Sequence, residues 1–258
     1  MHIDDICTIS QSGSSVIATA IHAGHEMRDS LMDLSQLTGI QRLREEDPFT
    51  DIFAGGASAT IIAKHSRFQV DLNRPRERAV YQVPADAWGL DLWCEPLSTE
   101  ERALSLREYD LFYGYLRETI DQHLKVHERI VVLDIHSYNH RRMGEKAPFD
   151  DPMENPEVII GTGTMPDRQR WAEIIDAVTE RLLNAVVMDR YLDVRENVKF
   201  QGGEMAKWLH RHYSETVCCI SLEFKKIFMN EWSGRENRET ILEIKEVMGA
   251  IVDFIETI

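Results

Sequence analysis

Arg129-Ile-Val-Val-Leu-Asp-Ile-His-Ser-Tyr138 is the stretch whose reading decides the fold. Its apolar run, Ile130 to Leu133 and then Ile135, is broken only by Asp134 and stops at His136-Ser-Tyr-Asn-His-Arg-Arg142. The run is rich in β-branched residues and too short for a helix, which predicts a strand buried on both faces in the middle of a parallel sheet. Ligands of open α/β sheets bind outside the carboxyl ends of the strands. His136 is expected at such an end.

The pattern recurs. Ser15-Val-Ile-Ala-Thr-Ala-Ile-His-Ala-Gly-His25 is a second apolar strand ending in histidine, and Val217-Cys-Cys-Ile-Ser-Leu-Glu223 ends in a carboxylate. Three strand ends therefore offer two imidazoles and a carboxylate, the nitrogen and oxygen groups that a catalytic zinc site and its base require. Gly24 allows a tight turn in which His22 and His25, three positions apart, aim at one centre. The alternative is that His25 and Glu26 simply begin a following helix, a reading that suits Glu26, near its positive end, better than His25.

Composition narrows the classes. The 258 residues suffice for one sizeable α/β domain, and no Pro/Gly/Ser-rich linker divides them, so a single domain over residues 1–258 is expected. A net charge of −15 argues against nucleic acid, whose phosphates need a basic face, and favours a soluble cytoplasmic protein. Arg67, Arg74, Arg141, Arg142 and Arg211 lie close in sequence to the site segments and can make a positive pocket inside a negative protein. Cys7, Cys94, Cys218 and Cys219 lack metal-type spacing and are expected reduced. Met1-His-Ile-Asp-Asp5 lacks the regions of a secretion signal, and no apolar run approaches the ~20 residues of a membrane span.

Along the chain, Gln11-Ser-Gly-Ser14 suggests a small hairpin, and Leu31, Leu34, Leu37 and Leu43 predict one helix over Ser30 to Leu43. The acidic loop Arg44 to Asp51 follows, in which Asp47 and Asp51 are candidate metal carboxylates. Ala59 to Ala63 and Arg67 to Leu72 read as strands, the second ending at Asn73-Arg74-Pro75, where a guanidinium fork beside an amide can hold a carboxylate. Ser98-Thr-Glu-Glu101 has capping-box spacing at the head of a helix to about Val126. Gly144 to Asn155 is aperiodic and predicts a loop over the strand ends. Gly161-Thr-Gly163 lacks the remaining residues of any phosphate loop, so nucleotide binding is rejected. Asp167 to Met188 and Arg238 to Ile258 read as helices. Gly202 and Gly203 permit close approach of the backbone to a substrate.

Laid out together, these segments resemble the N-formylglutamate amidohydrolase family. The resemblance runs through His22-Ala-Gly24, Asp47, Asp51, Ser66-Arg-Phe-Gln-Val-Asp-Leu-Asn-Arg74, Leu133-Asp-Ile-His-Ser137, Phe200-Gln-Gly-Gly203 and Glu223, the segment ending at Arg74 being the most specific. It implies a three-layer α/β fold with a mixed, mostly parallel central sheet and helices on both faces, phosphorylase/hydrolase-like and zinc-carboxypeptidase-like. It further implies one Zn2+ per chain with His22 and His136 as ligands, Glu223 as general base and acid, Arg67 near the polarised carbonyl oxygen, and Asn73 and Arg74 on the substrate carboxylate. Ile135-His-Ser-Tyr138 resembles the third-ligand segment of zinc carboxypeptidases, which puts Tyr138 at the substrate beside Gly202 and Gly203.

The chain departs from both patterns. Carboxypeptidases carry His-x-x-Glu where this sequence has His22-x-x-His25, and the amidohydrolases have proline where it has Ile21. The second metal ligand is His25 by spacing, with Asp47 the alternative and Glu26 a third. The expected activity is hydrolysis of an N-acyl amino acid, N-formylglutamate first. A carboxypeptidase-like or other N-acyl-amino-acid hydrolase and an inactive small-molecule binding protein are the alternatives.

Overall fold

Every residue from Ile130 to Tyr138 is buried, as in a strand covered on both faces, and the computed structural model, which describes residues 1–258, builds a seven-stranded sheet around it. A short helix α1 (Ile3–Ile6) leads into β1 (Cys7–Ser10) and β2 (Val16–Ala20); α2 (Asp29–Leu34), α3 (Gly39–Glu45) and α4 (Thr50–Ala54) precede β3 (Ala59–Ala63). The long α5 (Thr99–His123) returns to β4 (Ile130–Tyr138), followed by β5 (Val158–Gly161) and α6 (Ala172–Leu183). A small hairpin of β6 (Val186–Val187) and β7 (Arg190–Tyr191) precedes β8 (Val194–Glu196), α7 (Glu204–Tyr213), β9 (Val217–Lys225) and α8 (Arg238–Ile255). The sheet order is β1-β3-β2-β4-β9-β5-β8. β3, β2, β4 and β9 run parallel, β1 and β5 are each antiparallel to their inner neighbour, and β8 follows β5 in parallel.

Strand side chains alternate between faces, and each face has its own core. Val131, Leu133, Ile135, Ile220 and Leu222 pack under α4, α6 and α8, against Phe53, Ile175 and Ile244. Ile130, Val132, Val217 and Cys219 pack under α5 and α7, against Phe112, Leu116 and Leu209. The same period carries Asp134, His136 and Glu223 onto the α5/α7 side, and register sets His136 beside Glu223 and Asp134 beside Ser221. The architecture is the mixed, mostly parallel three-layer α/β fold expected.

Several local expectations fail for nonlocal reasons. Ser30 to Leu43 is two helices, because Leu34-Ser35-Gln36 is captured by Leu92-Trp93-Cys94: Gln36 N donates to Leu92 O at 2.7 Å and Cys94 N to Leu34 O at 2.9 Å. Thr38 then caps α3, its hydroxyl accepting from Gln41 N. Residues around Gln11-Ser-Gly-Ser14 form no hairpin, since β3 inserts between β1 and β2. Arg67 to Leu72 is not a strand but a buried turn, with Gln69 N on Ser66 O at 2.9 Å. Its alternation arises because Phe68 enters a third small cluster with Leu31, Tyr81 and Trp93, while Val70 and Leu72 enter the α5/α7 core.

Candidate functional site

The carboxyl ends of β2, β4 and β9 open into a cavity of about 550 Å3 lined by His22, Asp47, His136 and Glu223. β2 is buried throughout and stops just before His22, while the Asp47 loop is tied to that point by Asp47 N donating to His22 O at 2.9 Å. The Asp47 Oδ2 atom lies 3.4 Å from His22 Nδ1 and 3.0 Å from His136 Nδ1, and the two rings stand 5.0 Å apart. His22, Asp47 and His136 are buried, with ligand atoms all within 4.8 Å of one another. Two imidazole nitrogens and a carboxylate oxygen are a divalent-metal donor set.

The far nitrogens of both rings are held by carboxylates. His22 Nε2 is 2.8 Å from Asp71 Oδ1, and His136 Nε2 is 3.0 Å from Asp134 Oδ2. This leaves each Nδ1 facing Asp47, and a carboxylate behind the far nitrogen is the arrangement that orients metal-ligating histidines. Asp134 is in turn held by Thr19 Oγ1 at 3.0 Å and Ser221 Oγ at 3.3 Å. Asp71 accepts from Arg67 Nη2 at 2.8 Å, from Asn73 N at 2.8 Å and from the Tyr81 hydroxyl. The residues fit a metal ion not only as ligands but through the shell behind them.

Charges follow from these contacts. Burial opposes ionisation of Asp47, yet hydrogen bonds from His136 and His22 hold it far below the usual carboxylate range. Asp71 is likewise held low against burial, chiefly by the Arg67 guanidinium. His136 is kept well above its ordinary value, against burial, by Asp134 and Asp47. Glu223 has the opposite fate: burial pushes it up to about 7.

Of the two principal alternatives for the second ligand, the structure brings Asp47 and not His25 to His22 and His136. His25 Nδ1 sits 2.5 Å from Glu46 Oε2, and its side chain is 44 % exposed. The reason lies in Gly24, which packs so tightly on the Lys64–His65 backbone that no β-carbon fits there. Glu26 N then donates to Lys64 O, so the chain leaves the site extended rather than turning back. Glu26 and Asp51 are exposed and lie outside the cluster.

Arg67, Asn73, Arg74, Tyr138, Gly202 and Gly203 all line the cavity. Arg67 stacks 4.8 Å over Trp88 and is half-buried. Asn73 is seated by Met205 N donating to its Oδ1 at 3.0 Å, and a β-carbon on Gly203 would overlap its side chain. Gly203 is therefore required by Asn73 rather than by a ligand, and Gly202 takes φ of +107°. The Tyr138 hydroxyl is turned onto Pro156 O, leaving its ring as wall. Of Arg141, Arg142 and Arg211, Arg142 reaches the cavity, while Arg211 pairs with Glu204 at 2.9 Å.

Sequence reasoning passes over several residues of this site. Lys199 lines the cavity with its ammonium 5.1 Å from the Tyr138 ring centre. Lys226 is buried in the wall, its ammonium donating to Arg44 O at 2.6 Å and Glu46 O at 2.7 Å, and burial lowers it to about 8. Asp71 and Asp134 carry the histidines. Only Asp134 gave a signal, a charge in the middle of an apolar run.

Among structures of known proteins, N-formylglutamate amidohydrolase from Ralstonia eutropha JMP134 is similar over 98 % of this chain and 97 % of its own, with a TM-score of 0.75 at 13 % identity. A gene product of Agrobacterium tumefaciens is similar over 97 % of this chain and 96 % of its own, with a TM-score of 0.64 at 17 % identity. At such identities the likeness establishes the fold. No functionally curated protein matches the chain. The sequence profile of N-formylglutamate amidohydrolase matches residues 14–229, a span that includes His22, Asp47, His136 and Glu223, and the chain belongs to the N-formylglutamate amidohydrolase family.

Proposed function

We propose that this chain is a zinc-dependent amidohydrolase that cleaves N-formylglutamate to glutamate and formate. One observation carries the reading: a buried His22–Asp47–His136 donor set shares a cavity with Glu223, whose strand neighbour is His136 itself. His22, Asp47 and His136 would hold the ion through three atoms and leave a position free. When bound, zinc would supply Lewis acidity, drawing charge onto the acyl oxygen and lowering the pKa of a water toward ~7.

The chain's own groups do the rest. Glu223 takes a proton as the water oxygen bonds to the acyl carbon, and passes it to the amine nitrogen as the C–N bond breaks. A carboxyl pushed up to about 7 suits both transfers near neutrality. Arg67 faces the charge that develops on the acyl oxygen, a role worth ~10²–10³ in rate for one such donor. Asn73 and Arg74 take the α-carboxylate. Arg142 and Lys199, also in the cavity wall, supply the cations a second carboxylate needs.

The test is metal content of freshly purified protein beside His136→Ala, followed by amine release from N-formylglutamate. About one zinc per chain, lost in the variant, with turnover in the wild type and a fall of ~10²–10⁴ in kcat for Glu223→Gln, is the expected result. No zinc after reconstitution would overturn the mechanism. Zinc without turnover would keep the hydrolase and move the substrate to another N-acyl amino acid.

A further inference from the structure

Three of the groups assigned to the reaction, His22, His136 and Glu223, sit in or just after strands of the sheet, but Asp47 lies in the short loop between α3 and α4. A ligand must be held within about 0.5 Å of its working position by packing and hydrogen bonds behind it. The carbonyls that precede Asp47 supply that hold. Arg44 O and Glu46 O both accept from the Lys226 ammonium, at 2.6 and 2.7 Å, and Glu45 O, between them, accepts from Arg67 Nη1 at 3.3 Å. Arg44 and Glu45 end α3, whose last carbonyls have no partner within the helix, so a cation is well placed there.

Lys226 is an unusual side chain for this position. It is 1 % exposed and its ammonium pairs with no carboxylate, whereas buried lysines are rare without an ion pair because the charge loses its hydration. Its charge is directed instead at the segment that carries the metal carboxylate, and of the charges around it that of Asp47 acts on it most strongly. The backbone behind it is firm: Lys226 N, just past the end of β9, donates to Tyr138 O at 3.0 Å. One side chain in the cavity wall thus ties the Asp47 segment to the strand that carries Glu223.

We infer that Lys226 is a positioning residue: by clasping the carbonyls of Arg44 and Glu46 it sets Asp47 at the distance from His22 and His136 that an ion requires. The inference rests on the metal-hydrolase reading above and extends it to a residue that holds no ion itself. His22 and His136 keep Asp71 and Asp134 behind them, so loss of the clasp acts through Asp47 alone. Its cost therefore does not add to that of removing Asp47.

The test compares the full chain as wild type, Lys226→Met, Asp47→Ala and the double variant. Zinc affinity is read by chelator competition, and the visible absorption of the cobalt-loaded proteins reports the ligand set of the ion. Lys226→Met is expected to weaken zinc ~10–100-fold, to shift the cobalt spectrum toward that of Asp47→Ala, and to cost less than about twofold where Asp47 is already alanine. Wild-type affinity in Lys226→Met, or a loss that adds in full to that of Asp47→Ala, would overturn the proposal and leave the hydrolase standing. A further measurement needs no ion. In chelator, amide hydrogen exchange at Asp47, whose N–H is held by His22 O, is expected to quicken ~10-fold in Lys226→Met, with Ile220 and Leu222 in the middle of β9 unchanged. If the wild type binds neither zinc nor cobalt, the zinc hydrolase falls and exchange alone decides: quickened exchange at Asp47 keeps Lys226 as the clasp, and unchanged exchange removes it. Should Lys226→Met fail to fold, Lys226→Gln, whose shorter side chain keeps a donor without the charge, is held to the same outcomes.

Discussion

Asp134 shows how much a single side chain carries in this site. It is fully buried in β4, takes hydrogen bonds from Thr19 and Ser221 on the two flanking strands, and turns the Nδ1 of His136 toward the cavity. Asp134→Asn keeps the shape but not the charge behind the ring. It is expected to fold and to weaken zinc affinity ~10–100-fold, measured by competition with a chromophoric chelator. Unchanged affinity would mean that His136 is oriented without it. His210 is a buried histidine of another kind: Nε2 accepts from Cys219 N at 3.1 Å, so the neutral ring carries its hydrogen on Nδ1, 2.9 Å from Thr164 Oγ1. Burial lowers it to about 4. The unfolded chain therefore binds this proton near pH 6.5 and the folded chain only near 4, so stability is full above about 6.5 and falls as pH drops toward 4, by on the order of 3 kcal/mol. Urea titrations at pH 7 and 4.5 are expected to show a smaller loss in His210→Gln than in the wild type. Residues whose meaning lies at the end of an apolar run, His22, His136 and Glu223, were legible in the sequence. Asp71, Lys199 and Lys226 were not, because what marks them is a partner across space.

Elements were legible where their periodicity answers to the sheet and misread where a distant segment overrules it. β2, β3, β4 and β9 follow from apolar runs, and α5 and α8 from apolar faces with good caps, Ser98 Oγ accepting from Glu101 N at 3.1 Å. The break between α2 and α3 could not be read from the leucines, since the Leu92-Trp93-Cys94 segment that causes it lies more than fifty residues away. Packing between elements is equally specific. A β-carbon on Gly56 would come 2.7 Å from Gly249 Cα, where the end of α4 meets α8, while one on the exposed Gly114 of α5 meets nothing within 4 Å. Gly56→Ala is expected to cost ~1–3 kcal/mol by overpacking, and Gly114→Ala to add ~0.5–1 kcal/mol of stability. Chemical denaturation of the two variants decides it; equal midpoints would mean that the α4–α8 contact yields freely.

The whole molecule is strongly acidic, at −15, yet gathers five basic side chains around one cavity. The ligand atoms of that cavity come from the end of β2, the loop after α3 and the end of β4, so an ion held there joins segments far apart in the chain. Zinc at ~100 times its dissociation constant should therefore add ~2.7 kcal/mol to stability. Melting curves with zinc and with chelator should separate for the wild type and coincide for His136→Ala. Coincident wild-type curves would mean that the folded chain binds no ion there. The fold itself was legible because strand ends bearing chemistry recur three times. Whether His25 or Asp47 completes the set was not, because that depends on how tightly Gly24 lies on Lys64.

One strand direction has an evolutionary consequence. Because β5 runs opposite to β4 and β9, the connection from Tyr138 to Val158 leaves the rim of the cavity and returns to the same rim, its return anchored by Lys225 N on Glu157 O at 2.9 Å and Lys225 Nζ on Asn155 O at 2.7 Å. A segment that starts and ends at one place can lengthen, shorten or be exchanged without shifting the register of any strand. Residues 141–154, which bring Arg142 into the cavity wall, can thus change in length or sequence while His136 and Glu223 stay where they are.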